Sequence, residues 1–270
     1  MSDIILAASM RANLLSLQNI QMLQSRTSNR LATGLRVGSA IDDAAAYFAA
    51  QNERGRANDL DALKQAMGEA IQTVQAANNG VDGITALIQQ AKGLIASARA
   101  GDTTQRAALA TQYTALMTQI DQLAGDSGYK GTNLLAAGST LTVTMNENGT
   151  ASVTITGFDA SSTGLGLAAA ANNWAADADI NAAATALDTA LNTLRNNAST
   201  LSSNNSVITT RQQFTSQMIA TLNQGADNLT LADTNEEGAN MLALQTRQQL
   251  GIQALSLSSQ GQQSVLRLFQ

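Results

Sequence analysis

Apolar positions recur at helical spacing over most of the chain and at strand spacing over one short stretch near its middle. Leu14, Leu17, Leu31 and Leu35 form a heptad-like stripe near the N-terminus, with Gln21, Gln24 and Ser28 between them. A stripe that is apolar at its ends and polar in its middle does not predict a strong autonomous coiled coil. Thr33-Gly34 supplies a helix stop, and residues 35–40 read as a connector. Ser39 reads as the N-cap of the next helix, with Asp42 and Asp43 in a first turn where the helix dipole favours acids.

From residue 42 to about residue 99 the text is helical and rich in Ala, Gln, Leu and Ile. A rod of that length would span roughly 80 Å, and Asn78-Asn79-Gly80 marks the place where it could break. Gly101-Asp102 is a turn, and residues 104–124 form a further helix through Leu109, Tyr113, Leu116, Ile120 and Leu123, ended by Gly125-Asp126-Ser127-Gly128. Residues 140–145 and 152–156 alternate Thr with apolar side chains around Asn148-Gly149, which predicts a β-hairpin. Small-residue loop text follows around Trp174, helix resumes near Asp179 and runs to about residue 224, and residues 235–269 are amphipathic through Met241, Leu244, Ile252, Leu255, Leu266 and Phe269. The expected fold is mainly α: a long antiparallel helical bundle or coiled coil built from both ends of the chain, with a small β-hairpin insert. Its expected parts are a terminal helix and connector (1–41), the first half of the bundle (42–137), a β/loop insert (138–178), the returning bundle helix (179–232) and a C-terminal helix (233–270).

Composition narrows the chemistry. The 270 residues include no Pro, no Cys and no His. Without Cys and His there is no disulfide, no thiolate or imidazole chemistry and no Cys- or His-ligated metal. Charged residues make up 13% and aromatics 3%, yet 44% are hydrophobic. That balance suits long helices packed through thin contacts, and a low surface charge weakens solubility as a lone monomer. The net charge of −5 is unevenly spread: residues 1–36 hold four Arg against one Asp, and residues 238–270 hold two Arg and no acid. With three Lys and few aromatics, nothing resembles a nucleic-acid face. No 18-residue apolar window predicts a membrane span, and the acidic start Met1-Ser2-Asp3 does not fit a cleavable signal peptide.

The apparent catalytic motifs read better as structure. Gly125-Asp126-Ser127-Gly128 resembles a protease nucleophile loop, but a serine nucleophile of that kind needs a His base. Asp177, Asp179, Asn181 and Asp188 imitate the spacing of a calcium loop, with Ala182 where the sharp turn needs Gly; helix capping is the stronger reading. Asn148-Gly149-Thr150 matches a glycosylation sequon, yet Asn-Gly is needed for the turn. No enzyme is expected, and no cofactor.

The run Asn29-Arg30-Leu31-Ala32-Thr33-Gly34-Leu35-Arg36-Val37-Gly38-Ser39-Ala40-Ile41-Asp42-Asp43-Ala44-Ala45 closely resembles the N-terminal signature of bacterial flagellins. Ala232-Asp233-Thr234-Asn235-Glu236-Glu237, followed by Met241-Leu242-Ala243-Leu244-Gln245-Thr246-Arg247, is similar to their C-terminal signature. The resemblance implies terminal segments paired as helices lining a filament channel, a bundle outside them and an outward insert. It implies a structural, motility-related subunit of an extracellular polymer, exported without signal cleavage as an unfolded monomer that folds at the growing tip. The implied partners are copies of itself, possible sister flagellins, the flagellar export apparatus and flagellin chaperone, and the filament cap and hook-junction proteins. No nucleic acid and no membrane are implied. The alternative within the same architecture is a hook–filament junction protein.

The expected subunit interface consists of Leu14, Leu17, Leu31, Leu35, Leu244, Leu255, Leu266 and Phe269 for apolar contact, with Arg30, Arg36 and Arg247 as bridges to Asp42, Asp43 or Glu237. Ser161, Ser162 and Thr163 lie in a stretch expected to be an exposed, flexible loop, and the resemblance makes them candidates for O-linked sugar.

Overall fold

The computed structural model describes residues 8–268. Its long helices are α1 (Ala8–Thr33), α2 (Ala44–Ala100), α3 (Thr103–Asp126), α4 (Asp177–Thr230) and α5 (Thr234–Leu268). Strands β1 (Thr140–Thr144) and β2 (Ser152–Thr156) form a two-stranded antiparallel sheet, in register from Thr140 opposite Thr156 to Thr144 opposite Ser152. Mainly α with a small hairpin insert is therefore the observed class. The chain divides into two compact units, one of residues 1–55 with 221–270 and one of residues 56–220.

In the second unit, α2, α3 and α4 bury a continuous apolar stripe through Met67, Val74, Ile84, Ile88, Ile120, Leu187 and Leu194. α2 and α4 run antiparallel, since Lys64 lies beside Gln212, Lys92 beside Asp188 and Arg99 beside Asn181. The α2–α3 corner is tied by chemistry that the turn itself supplies. Asp102 caps α3 by accepting from the Gln105 N–H at 2.8 Å, while the Arg106 guanidinium donates back to the Ala98 and Gly101 carbonyls at the end of α2. At the other end of α3, the Asn133 amide donates to the Ala124 and Gly125 carbonyls. The hairpin contributes one face, with Val143 and Ile155 buried and the Thr side chains outward, as period-two alternation requires. Gly149 holds the turn at φ 68°.

The rod does not break at Asn78-Asn79-Gly80; α2 passes straight through. Gly80 is present because the α3 terminus packs against it: an added Cβ would lie 2.6 Å from both Ser127 Cβ and Leu135 Cδ1. A glycine that looked like a helix breaker is a close-approach site. The Ser127 hydroxyl donates to the Leu123 carbonyl at 2.6 Å, so Ser127 is part of a helix end, as the turn reading required.

Trp174 is the largest fully buried side chain, and Tyr113 lies 5.0 Å from it between ring centroids. To deliver Trp174 inward, the backbone at Asn172, Asn173 and Trp174 takes φ of 47°, 52° and 58°. That conformation costs roughly 1–2 kcal/mol at each of the three non-Gly residues, comparable in total with the about 5 kcal/mol that burying an indole of about 200 Å² contributes. Asn at the first two positions lessens the cost and tips the balance towards burial.

Two outcomes follow for stability. Gly80→Ala should destabilise by about 1–3 kcal/mol through overpacking, while Gly93→Ala, with nothing within 4 Å of the added methyl, should be neutral or gain up to about 1 kcal/mol; paired thermal melts measure both. Burial pushes the Tyr113 hydroxyl up to about 12, against 10.0 for an exposed phenol. The folded chain then holds a proton that the unfolded chain releases near pH 10, so this stability is complete below pH 10 and declines as pH rises towards 12. Up to about 1.4 kcal/mol per pH unit should be lost across that window. Tyr113→Phe should abolish this part of the alkaline loss in urea titrations at pH 9 and 11.5.

Candidate functional site

The first unit is built on the antiparallel pairing of α1 with α5. Leu17 packs beside Gly251, Arg30 reaches Glu237, and Leu35 forms a β-bridge with Leu231. On α1 the covered positions are Met10, Asn13, Leu17, Ile20, Gln24, Thr27, Arg30 and Leu31; on α5 they are Glu237, Gly238, Met241, Leu244, Gln248, Gly251, Leu255, Ser258 and Ser259. Apart from the adjacent Arg30, Gly238 and Ser259, both series alternate steps of three and four residues, the spacing of a coiled-coil seam. Nearly half of the seam is polar, which is why the apolar stripe read from sequence is off register. Leu17, Leu31, Leu244 and Leu255 belong to the seam, but Leu14 does not and stands exposed. Leu35 lies in the connector. The side chain of Leu266, and Phe269 altogether, lie outside the described residues.

The seam's register is marked by one ion pair. Arg30 Nη1 donates to Glu237 Oε1 at 2.7 Å, and the two side chains are 22% and 8% exposed. Their polar bridge is thus within one chain. Arg36 takes no acid: its guanidinium donates to the Leu229 carbonyl at 2.9 Å, while the N–H groups of Arg36 and Val37 both donate to the Thr230 carbonyl. Arg247 is exposed and takes part in no ion pair among the described residues.

The connector corrects the expected cap. Ser39 is not the N-cap of α2; Asp43 is, accepting from the Ala46 N–H at 3.0 Å. Asp42 instead holds the preceding turn, accepting from the Ser39 hydroxyl and from the N–H groups of Ser39 and Gly38. The Ser39 hydroxyl bond, joined by those backbone bonds, keeps the Asp42 carboxyl below the usual carboxylate range against the opposing effect of partial desolvation. Neither acid meets Arg30, Arg36 or Arg247; their carboxylates organise the turn that starts α2. Gly34, at φ 70°, ends α1 in the left-handed conformation that glycine adopts without steric cost.

The 157–167 stretch is not the open loop expected from its small residues. Leu165 and Leu167 enter the core, and six backbone N–H groups from Gly157 to Leu167 donate to carbonyls of residues 134–163. Ser162 is buried, its N–H and hydroxyl donating to the two carboxylate oxygens of Asp121 at 2.7 and 3.1 Å. The Ser161 hydroxyl accepts from the Gly164 N–H. Thr163 alone of the three is exposed. The acids with calcium-loop spacing are on α4: Asp177 pairs with Arg106 and Asp188 with Lys92, each at 2.7 Å. No group of three or more His, Cys, Asp or Glu among the described residues could hold a metal ion.

Several large apolar side chains remain among the uncovered positions. With the seam closed, Leu15, Met22 and Leu23 on α1 and Leu242, Leu250, Ile252 and Leu257 on α5 are still exposed, the last at 73%. Both helices therefore carry apolar side chains on flanks that their mutual contact leaves open. Contiguous exposed apolar patches mark protein–protein contact surfaces.

Residues 2–140 match the family model for the bacterial flagellin N-terminal helical region, and residues 184–269 match that for the C-terminal helical region. The flagellin FljM of Caulobacter vibrioides is 32% identical across 95% of both chains, and a Brucella melitensis flagellin is 28% identical across 97% of this chain and 99% of the relative. Among solved structures, the crystal structure of Bacillus cereus flagellin is similar with a TM-score of 0.48 and 18% identity, covering 56% of this chain and 88% of that one. The chain belongs to the bacterial flagellin family.

Glu237→Ala should cost about 1–3 kcal/mol by leaving the Arg30 guanidinium half-buried and unpaired. The double change Arg30→Met with Glu237→Leu should recover most of that loss, as read by thermal loss of helicity.

Proposed function

We infer that this chain is a structural subunit that polymerises with copies of itself into the extracellular flagellar filament and thereby serves swimming motility. The observation that carries the reading is the set of exposed apolar side chains flanking the α1–α5 seam, in a chain whose family assembles in this way. Each exposed Leu that a neighbour covers contributes about 1.5–3 kcal/mol, and a helical array repeats that contribution at every subunit. No observation favours a hook–filament junction role over it.

The same reading extends to partners and route. Leu14, Leu17, Leu31, Leu35, Leu244, Leu255, Leu266 and Phe269 make the inner contacts, partly between α1 and α5 of one chain and partly between chains. Of Arg30, Arg36 and Arg247, the last two have no acid partner among the described residues and meet neighbours, because Arg30 is committed to Glu237. The subunit leaves through the flagellar export apparatus without signal cleavage, held by a flagellin chaperone, and adds beneath a filament cap above the hook-junction proteins. It performs no catalysis.

Leu257→Asp should leave the monomer's melting temperature unchanged, because its side chain touches solvent. It should raise the critical concentration for polymerisation at least about tenfold, the equivalent of 1.4 kcal/mol. Sedimentation and electron microscopy read the result, and unimpaired filaments would remove the basis for the assembly face. O-linked sugar is proposed at Thr163, the exposed hydroxyl of its loop. Native protein should lose its added mass in Thr163→Ala, whereas Ser162→Ala should leave that mass in place; an intact mass equal to the bare chain would end this proposal.

A further inference from the structure

Between the β-hairpin and α4 lies a groove of about 810 Å³. Val207 and Phe214 stand seven residues apart on one face of α4, each nearly half exposed, and Met145 lines the hairpin side. Between the two α4 side chains is Arg211, whose guanidinium carbon lies 5.1 Å from the centre of the Phe214 ring. Arg211 Nε is shut off from water without a hydrogen-bond partner, and no carboxylate pairs with this arginine among the described residues. Arg211 lines the groove, and no acid among the described residues neutralises its charge. The groove is therefore suited to an apolar side chain carried next to an anion.

Residues 41–48 of the same sequence have that composition. Ile41 is 96% exposed, more than any other large apolar side chain described, and Phe48 is 59% exposed. Asp42 and Asp43 follow Ile41 directly and are exposed. The hydrogen bonds that organise this turn use part of each carboxylate's acceptor capacity and leave its charge in place.

We propose that the hairpin–α4 groove of one subunit seats residues 41–48 of a second copy, with Ile41 against Val207 and Phe214 and the Asp42–Asp43 carboxylates towards Arg211. The inference rests on the assembly reading and names a contact within it. Because projection and groove are different surfaces, a subunit that fills its neighbour's groove leaves its own groove open. Such a heterologous contact extends a polymer, where a self-complementary one would close a dimer.

The absence of Cys makes the test clean. Ile41→Cys and Val207→Cys chains, distinguished by a mass tag, are each mixed at about one part in ten with unmodified chain, polymerised and treated with a short bis-maleimide. Cross-links between the two variants should exceed either same-variant product at least about tenfold, and only in polymer. In a second arm, Arg211→Glu should keep its melting temperature and raise the critical concentration at least about tenfold. Filaments without the 41–207 link, a dominant 207–207 link, or an unchanged critical concentration for Arg211→Glu would each overturn the contact while leaving the assembly function intact. Failure of the unmodified chain to polymerise would overturn both.

Discussion

The arrangement of the chain ends depends on a seam that is only half apolar. Asn13, Gln24 and Thr27 on α1, with Glu237, Gln248 and Ser258 on α5, occupy positions that a self-sufficient coiled coil would fill with Leu or Ile. Polar residues at such positions weaken a pair and restrict its register. Here the restriction is reinforced by the short Arg30–Glu237 ion pair, whose acid is almost wholly enclosed. Sliding α5 by one heptad would separate these charges and leave a buried carboxylate unpaired, an error that costs more than the pair itself contributes. The pairing is thus specific without being strong, and its flanks keep large apolar side chains exposed.

The second unit follows a different economy of contacts. Its core is a complete one, running from Met67 through Trp174 to Ile208, and it accepts local strain to close. The left-handed backbone leading to Trp174 and the close approach at Gly80 are both places where packing overrides local preference. Polar groups near the core are tied to backbone: Asp121 holds the 162 amide and Asn133 ends α3. Its carboxylates are used as caps and tethers, a structural employment that leaves none of them paired as acid and base.

Much was legible from sequence because helical periodicity and turn chemistry are local. The hairpin around Asn148-Gly149, the turn at Gly101-Asp102 and the helices of both halves come from short-range rules, and two long signatures at opposite ends identified the family. Local rules also explain the errors. Gly80 carries the same symbol whether it breaks a helix or admits a neighbour, and Ser39 and Asp43 are both good caps. The choice of cap depended on where Asp42 pulled the preceding turn.

Sequence alone determined the class of the fold, the family and the absence of thiol and imidazole chemistry, because each depends on residue identity or on spacing along the chain. Tertiary structure decided which leucines face the partner helix, that Arg30 is paired within its own chain, that Ser162 is enclosed and that Arg211 Nε is buried without a hydrogen-bond partner. Those outcomes depend on which distant segment arrives opposite each side chain. A stripe with polar residues at seam positions cannot announce its own register; only the helix packed against it, across some two hundred residues of intervening chain, supplies that.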